Sequence, residues 1–438
     1  MSFLSWRVRP SVIFITIYWG RLFASAPSVA VTFFEIRFET TKIASLINQI
    51  VVNISPILTF MKKVVIAPQG FKESLTGMEI ATAMSIGVKR VWPEAETVLI
   101  PVADGGDGTL QALVDSSGGE VRTANVEDAI GRTIEANWGA LGNGSTAVIE
   151  VANAVGLARL GQDERDVRNA STYGVGQLFT EALDAGFTDF IIGVGGSATN
   201  DGGAGMIQAM GGKLTDKNGD DIDRGGIALS YLENIDVSGL DPRMAEANVV
   251  VACDVNNPLC GQRGASAIFG PQKGATYEDI QELDAALGNF ADVIARDLHT
   301  DVAEIPGAGA SGGLGAGLMG FFDARLRLGA DIVLEAVNIE QHLKDAELVI
   351  VGEGQFDRST VFNKSPVAVA NRAKRHGTPV IGIAGSLGGG FREVHEHGID
   401  AIFSLVNRPM SLKAAMDDTS RLVAIATEEA CRAIAISL

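Results

Sequence analysis

Short apolar runs, each emptying into a glycine-rich turn with a carboxylate, an amide or a hydroxyl, recur along residues 61–438 and constrain the fold most. Residues 64–67, 97–102, 190–194, 249–252, 348–351 and 380–383 have the length and composition of buried strands. Between them lie stretches with apolar residues at helical spacing. Residues 76–92 place Ile80, Ala83, Met84, Val88 and Val91 along one face, and Pro93 closes the run. A second helix is predicted from the turn at 104–109 through Val114. Strands alternating with helices in this way predict α/β architecture. Residues 121–151 differ: their apolar positions alternate and Gly142-Asn143-Gly144 is a turn signal, so antiparallel hairpins are predicted there. A strand-rich stretch between two α/β portions predicts a second domain inserted into the first.

Functional loops of open α/β sheets lie beyond the carboxyl ends of the strands. Segments 69–74, 103–109, 195–203, 254–261 and 352–360 hold that position. One Gly-Asp turn is ordinary turn chemistry; five at matching positions point to a shared site. The richest is Gly195-Gly196-Ser197-Ala198-Thr199-Asn200-Asp201-Gly202-Gly203. Successive glycines let backbone N–H groups converge on an anion. The apolar run 204–210 predicts a helix whose N-terminus adds partial positive charge. Asp201 is a carboxylate of the kind that holds Mg2+ together with substrate phosphates. No G-x-x-x-x-G-K-[ST] is present, which disfavours a P-loop NTPase. Two weak dinucleotide-type matches exist, at 193–198 after a strand and at 307–312 without one.

A formal net charge of −18 argues against nucleic acid as a main partner but leaves nucleotide binding open. Cys253, Cys260 and Cys431 lack C-x-x-C spacing and read as free thiols in a reducing compartment. The first sixty residues differ from the remainder, with five basic and two acidic residues and ten of the 27 aromatics. Arg7 and Arg9, the apolar run 12–19 and Ala24-Ser25-Ala26 superficially resemble a secretory signal. Arg21 and Pro27 interrupt any membrane span, which needs about twenty apolar residues. Met61-Lys62-Lys63 followed by a buried strand reads as a natural start. Residues 1–60 are therefore expected to be an over-extended start or a disordered tail, with a targeting segment as the alternative. No membrane association is expected for residues 61–438.

Taken in order, the motifs resemble the bacterial glycerate kinase family, class I, of the glycerate 2-kinase type. They are Phe71-Lys72-x-Ser74, Pro101-Val102-Ala103-Asp104-Gly105-Gly106-x-Gly108-Thr109, Ser171-Thr172-Tyr173-Gly174-Val175-Gly176 and the 195–203 loop. Cys253-Asp254-Val255-x-Asn257-Pro258-Leu259-Cys260-Gly261, Phe269-Gly270-Pro271-Gln272-Lys273-Gly274-Ala275, the segment 306–317 and Gly352-Glu353-Gly354-x-x-Asp357 complete the set. The resemblance implies a flavodoxin-like parallel α/β domain from residues 61–122 and 303–438, with a second α/β domain, 123–302, inserted. It implies a cytoplasmic enzyme with ATP as donor, Mg2+, D-glycerate as acceptor and, for this class, 2-phosphoglycerate as product; the sequence leaves a homo-oligomer open.

Among the motif residues, Asp201, Lys72 and Asp254 are expected to be catalytic, with Asp201 as the acceptor-side base. Gly195, Gly196, Ser197, Asn200, Gly105, Gly106 and Lys364 are expected to bind nucleotide, and Asp104 and Asp357 to hold the metal. Which carboxylate does which is open at this point. Two loops depart from the family pattern: Gln69-Gly70 and Glu73 stand where Asp-Ser and Gly are usual, and Gln355, Ser359-Thr360 and Asn363 replace the usual residues of the last loop. The alternatives are a kinase for another small hydroxy acid, a nicotinamide-dependent oxidoreductase and a non-catalytic metabolite-binding homologue.

Overall fold

The computed structural model describes residues 61–438 apart from Lys72, Asp104, Gly105, Asp107, Phe362, Asn363 and Leu438, together with the backbone of Leu4–Arg9 and Val12–Ile17. Those two segments pair antiparallel, Leu4 opposite Ile17. The expectations for the remainder of residues 1–60 lie outside the described residues.

The main strands in chain order are β1 Lys63–Pro68, β2 Glu96–Leu99, β3 Glu120–Glu127, β4 Thr133–Ala140, β5 Thr146–Glu150, β6 Asp189–Gly193, β7 Asn248–Ala252, β8 Arg325–Arg327, β9 Leu348–Phe356, β10 Val380–Leu387 and β11 Ala401–Ser404. The helices that matter to the site are α1 Gly77–Val91, α2 Thr109–Ser117, α3 Tyr173–Asp184, α4 Ala204–Ala209, α5 Tyr277–Asp297, α6 Ala310–Phe322, α7 Gly329–Ala336, α8 Ser365–Arg375 and α9 Thr419–Ser437. One sheet has five parallel strands in the order β11-β10-β9-β1-β2; the other has six, β8-β7-β6-β5-β4-β3.

β1 shows why the apolar runs become strands. Val64 and Ile66 pack with Ile80, Met84 and Val88 of α1 and with Leu422 and Val423 of α9. Val65 and Ala67 face the opposite way, onto Leu110 and Leu113 of α2, Val333 of α7 and Val367 of α8. All four are fully buried, so the strand reads apolar without a break because both faces are covered. The second of these clusters also takes Val148 of β5, Ile191 of β6 and Ala252 of β7, so one apolar layer serves both sheets. α1 begins at Thr76, whose hydroxyl accepts from the Glu79 N–H at 3.3 Å while the Thr76 N–H donates to Glu79 Oε2 at 2.8 Å, a reciprocal cap.

The hairpins expected over 121–151 are present as β3, β4 and β5, antiparallel to one another. β5 then pairs parallel with β6, β6 with β7, and β7 with β8. β3 starts at Glu120 and β8 ends at Arg327, so the chain crosses between the sheets before 120 and again after 327. β8 is only three residues long, and nothing in Arg325-Leu326-Arg327 marks which sheet it joins; its register against Val250, Val251 and Ala252 decides it. Among the described residues, no helix is long and apolar enough to cross a membrane.

Candidate active site

The carboxyl ends of β6 and β7, with Gly193 opposite Ala252, open into a cleft of about 270 Å³. Its walls come from five separate stretches of chain. Gly106 follows β2; Val194, Gly195, Gly196 and Ser197 follow β6; Cys253, Asp254 and Val255 follow β7; Phe269, Gln272 and Lys273 form a short helix and turn, and Ala310 and Ser311 begin α6. Ligands of open α/β sheets bind at such a place. The structure thus brings together Gly106, Gly195, Gly196, Ser197 and Asp254 from the expected set. Gly195 and Gly196 are exposed and put no Cβ between their peptide groups and the cleft.

The glycine clusters are there largely to let loops touch backbone to backbone. A Cβ on Gly312, whose φ is 69°, would lie 2.0 Å from the Thr199 carbonyl oxygen, and one on Gly317 would lie 2.2 Å from that of Gly202. The Gly202 N–H donates to the Gly312 carbonyl at 3.0 Å. The fingerprint at 307–312 is therefore part of an interlock between the loop after β6 and the first turns of α6, not a dinucleotide turn. Beside it Ser311 also has a left-handed backbone, with φ 56°, and its buried hydroxyl has no hydrogen-bond partner among the described residues. A non-glycine residue in that region is uncommon and worth relating to function.

Asp201 does not reach the cleft. It is fully buried, and its carboxylate accepts from Thr172 N at 2.7 Å, Thr172 Oγ1 at 2.9 Å, Gly203 N at 3.2 Å and Gly205 N at 3.2 Å. Burial pushes this carboxyl above its ordinary value, against the opposing pull of the Thr172, Gly203 and Gly205 donors. The carboxylate ties the start of α3 to the start of α4, so the expected acceptor-side base is an internal strut. It also occupies the N-terminus of α4, which the sequence suggested would be open to phosphate. Asn200 is likewise enclosed, its Nδ2 donating to Ser266 Oγ at 2.9 Å and its Oδ1 without a partner among the described residues.

The cleft also contains a cation outside the expected set. Lys273 is 2% exposed, and its Nζ donates to Thr199 O at 2.6 Å and to Ser197 Oγ at 3.1 Å. Burial pushes it down to about 7, with Asp201 pulling the other way. Its sequence signal was the isolated lysine in Pro271-Gln272-Lys273-Gly274, a turn that nothing local marks as buried. Asp254, by contrast, is exposed on the cleft, and its Oδ1 accepts from Gly329 N at 2.9 Å.

Lys364 and Asp357 are not among the lining residues. They form a second cluster at the carboxyl end of β9, where Lys364 Nζ meets the buried Glu353 at 2.8 Å and Thr360 Oγ1 donates to the same carboxylate at 3.0 Å. Asp357 accepts from Ser359 N at 2.7 Å, Ser359 Oγ at 2.6 Å and Gln355 Nε2 at 2.8 Å. The Ser359 and Gln355 donors hold its carboxyl down at about 2. Its oxygens are thus engaged within its own turn, a poor arrangement for the expected metal ligand. Lys72, Asp104 and Gly105 lie outside the described residues.

The sequence profile of the glycerate kinase family matches residues 64–435. The chain belongs to the glycerate kinase family. It is 51% identical over 376 residues to a glycerate kinase of Halalkalibacterium halodurans, covering 86% of this chain and 98% of that one. To a glycerate 2-kinase of Escherichia coli it is 51% identical over 344 residues, 78% of this chain and 90% of the relative. A crystal structure of a candidate glycerate kinase 2 from Salmonella typhimurium LT2 superposes with a TM-score of 0.80 at 46% identity, covering 86% of this chain and 99% of that one. The α/β fold and the family expected from the motifs are both found. The glycine matches that prompted a nicotinamide reading belong, in this glycerate kinase family member, to the cleft turn and to the loop interlock.

Proposed function

We propose that this glycerate kinase family member transfers the γ-phosphoryl group of ATP to D-glycerate, giving 2-phosphoglycerate, and that the transfer takes place in the cleft beyond β6 and β7. The observation that carries the site is the meeting of the Gly195-Gly196 turn, the exposed carboxylate of Asp254 and the buried amine of Lys273 on one cavity. Phosphoryl transfer asks for positioning and charge neutralisation more than for covalent chemistry. The glycine turn supplies peptide N–H groups to phosphate oxygens, and Lys273 stands beneath it. Asp254 orients the attacking hydroxyl and accepts its proton as that oxygen bonds to phosphorus and the β–γ bridging bond breaks, releasing ADP.

Nucleotide-bound Mg2+ needs one or two carboxylates besides the phosphates, and Asp254, exposed on the cleft, is a carboxylate of that kind; the ion would neutralise charge on the phosphate oxygens. Use of ATP favours a cytoplasmic location. The altered residues Gln69, Gly70 and Gln355 motivate one variant of this reading, a different small hydroxy acid as acceptor.

Incubation with Mg-ATP and D-glycerate, with the product identified by NMR, tests the reaction: 2-phosphoglycerate is expected. No phosphorylated glycerate would overturn it, and turnover on another member of a hydroxy-acid panel would redirect it. Asp254→Asn is expected to lower kcat at least roughly a hundredfold with thermal stability retained. Asp357→Asn should cost less than about threefold, since its oxygens serve its own turn; steady-state kinetics on both variants separates the two carboxylates. Equal losses would place the chemistry at β9 instead.

A further inference from the structure

Nζ of Lys273 has two hydrogen-bond partners, Thr199 O and Ser197 Oγ, and no third is found among the described residues. A neutral amine has two N–H groups and one lone pair, whereas an ammonium has three N–H groups. Two acceptors therefore match both N–H groups of the neutral form, and among the described residues they leave one donor of the charged form unmet in a site where that is costly. The side chain is on the cleft wall, so the unmatched position is the one a bound oxygen would fill.

Among the described residues, the charged and titratable groups around it are few. Asp201 lies behind it on the loop after β6, already taken by four donors. Asp254 and the buried Cys253 line the cleft on the loop after β7. Arg165 packs on the outer side of the turn, its Nη1 donating to Gln272 O at 3.1 Å.

We propose that Lys273 is the cation that meets the nucleotide's terminal phosphates in this cleft, and that it takes its proton from solvent as the nucleotide binds. This rests on the reading of the cleft as the nucleotide site. The step is simple to balance: one solvent proton adds to the Nζ lone pair, the new N–H donates to a phosphate oxygen, and no bond of the nucleotide changes. Burial alone holds the free amine down near pH 7. Phosphates arriving at hydrogen-bonding distance favour the charged form and reverse that balance. The same ammonium then grips the Thr199 carbonyl and the Ser197 hydroxyl more firmly, so the shape of the glycine turn becomes linked to occupancy.

The sign of the pH effect follows. Below about pH 7 the amine is already protonated and binding takes up no proton; above it, each binding event must supply one. The Kd for MgADP is then expected to be flat below about pH 7 and to rise about tenfold per pH unit above it. Titration calorimetry of MgADP into the full chain, in two buffers of different ionisation heat, counts the protons directly. The wild type should take up close to none at pH 6 and approach one at pH 8.5.

Lys273→Met should bind more weakly at pH 6 and show no uptake at pH 8.5. Lys273→Arg, a fixed charge, should show none at either pH. Should neither variant fold, the wild-type proton count decides alone. Tight binding with no proton uptake at pH 8.5, or full uptake retained in a folded Lys273→Met, overturns the proposal. No MgADP binding at any pH would instead remove the cleft as nucleotide site, and the proposal with it.

Discussion

Asp201→Ala is expected to lower the unfolding free energy by roughly 3–6 kcal/mol, a large loss for a single carboxylate. The substitution leaves three backbone N–H groups and one hydroxyl without their acceptor in a place water does not reach. Each unmet buried donor costs about 1–3 kcal/mol, offset in part by relaxation and by no longer burying a charge. Asp201→Asn should fall between: its one carbonyl oxygen can serve the Thr172 and Gly205 donors, while its NH2 opposes the Gly203 N–H. Chemical denaturation of both variants gives the comparison. A catalytic base would behave in the opposite way, with near-normal stability and collapsed turnover. If Asp201→Ala unfolds at the wild-type midpoint, the strut assignment fails and the base returns.

Gly312→Ala is expected to reduce kcat/KM at least roughly a hundredfold, although Gly312 bears no side chain that could act on substrate. An alanine at φ 69° carries a left-handed penalty of about 1–2 kcal/mol before any contact is counted. Its Cβ would lie 2.0 Å from the Thr199 oxygen and 2.6 Å from the Asn200 Cα, both backbone atoms that cannot swing aside. The loops must part by an ångström or so, and the Gly202-to-Gly312 hydrogen bond goes with them. Thr199 is also the residue whose carbonyl holds Lys273, so the displacement passes directly to the cleft cation. Gly389→Ala is the control: no atom lies within 4 Å of its added Cβ, and activity should be unchanged. Equal activities for the two variants would show that the interlock does not position the site.

Legibility in the sequence followed the range of the interaction. α1, its limits and the buried character of β1 rest on residues a few positions apart, so periodicity and a closing proline reveal them. The hairpins over 121–151 are local too. The same holds for the placement of glycine turns beyond strand ends, which located the cleft's rim at Gly106, Gly195, Gly196, Ser197 and Asp254. The family was legible because several such turns occur in a fixed order.

Local chemistry could not separate Asp201 from Asp254. Both follow a buried strand in a loop that contains glycine, yet one turns inward onto two helix starts and the other faces the cleft. That difference is a direction in space, set by helices α3 and α7 packed from elsewhere in the chain. Lys273 is the sharper case, because its partners lie 76 and 74 residues away and its burial exists only once they arrive. The sequence by itself determined which segments become strands, helices and anion-ready turns, since those depend on neighbours along the chain. Tertiary packing alone decided which polar groups would keep their contact with solvent, because desolvation depends on what closes over a residue.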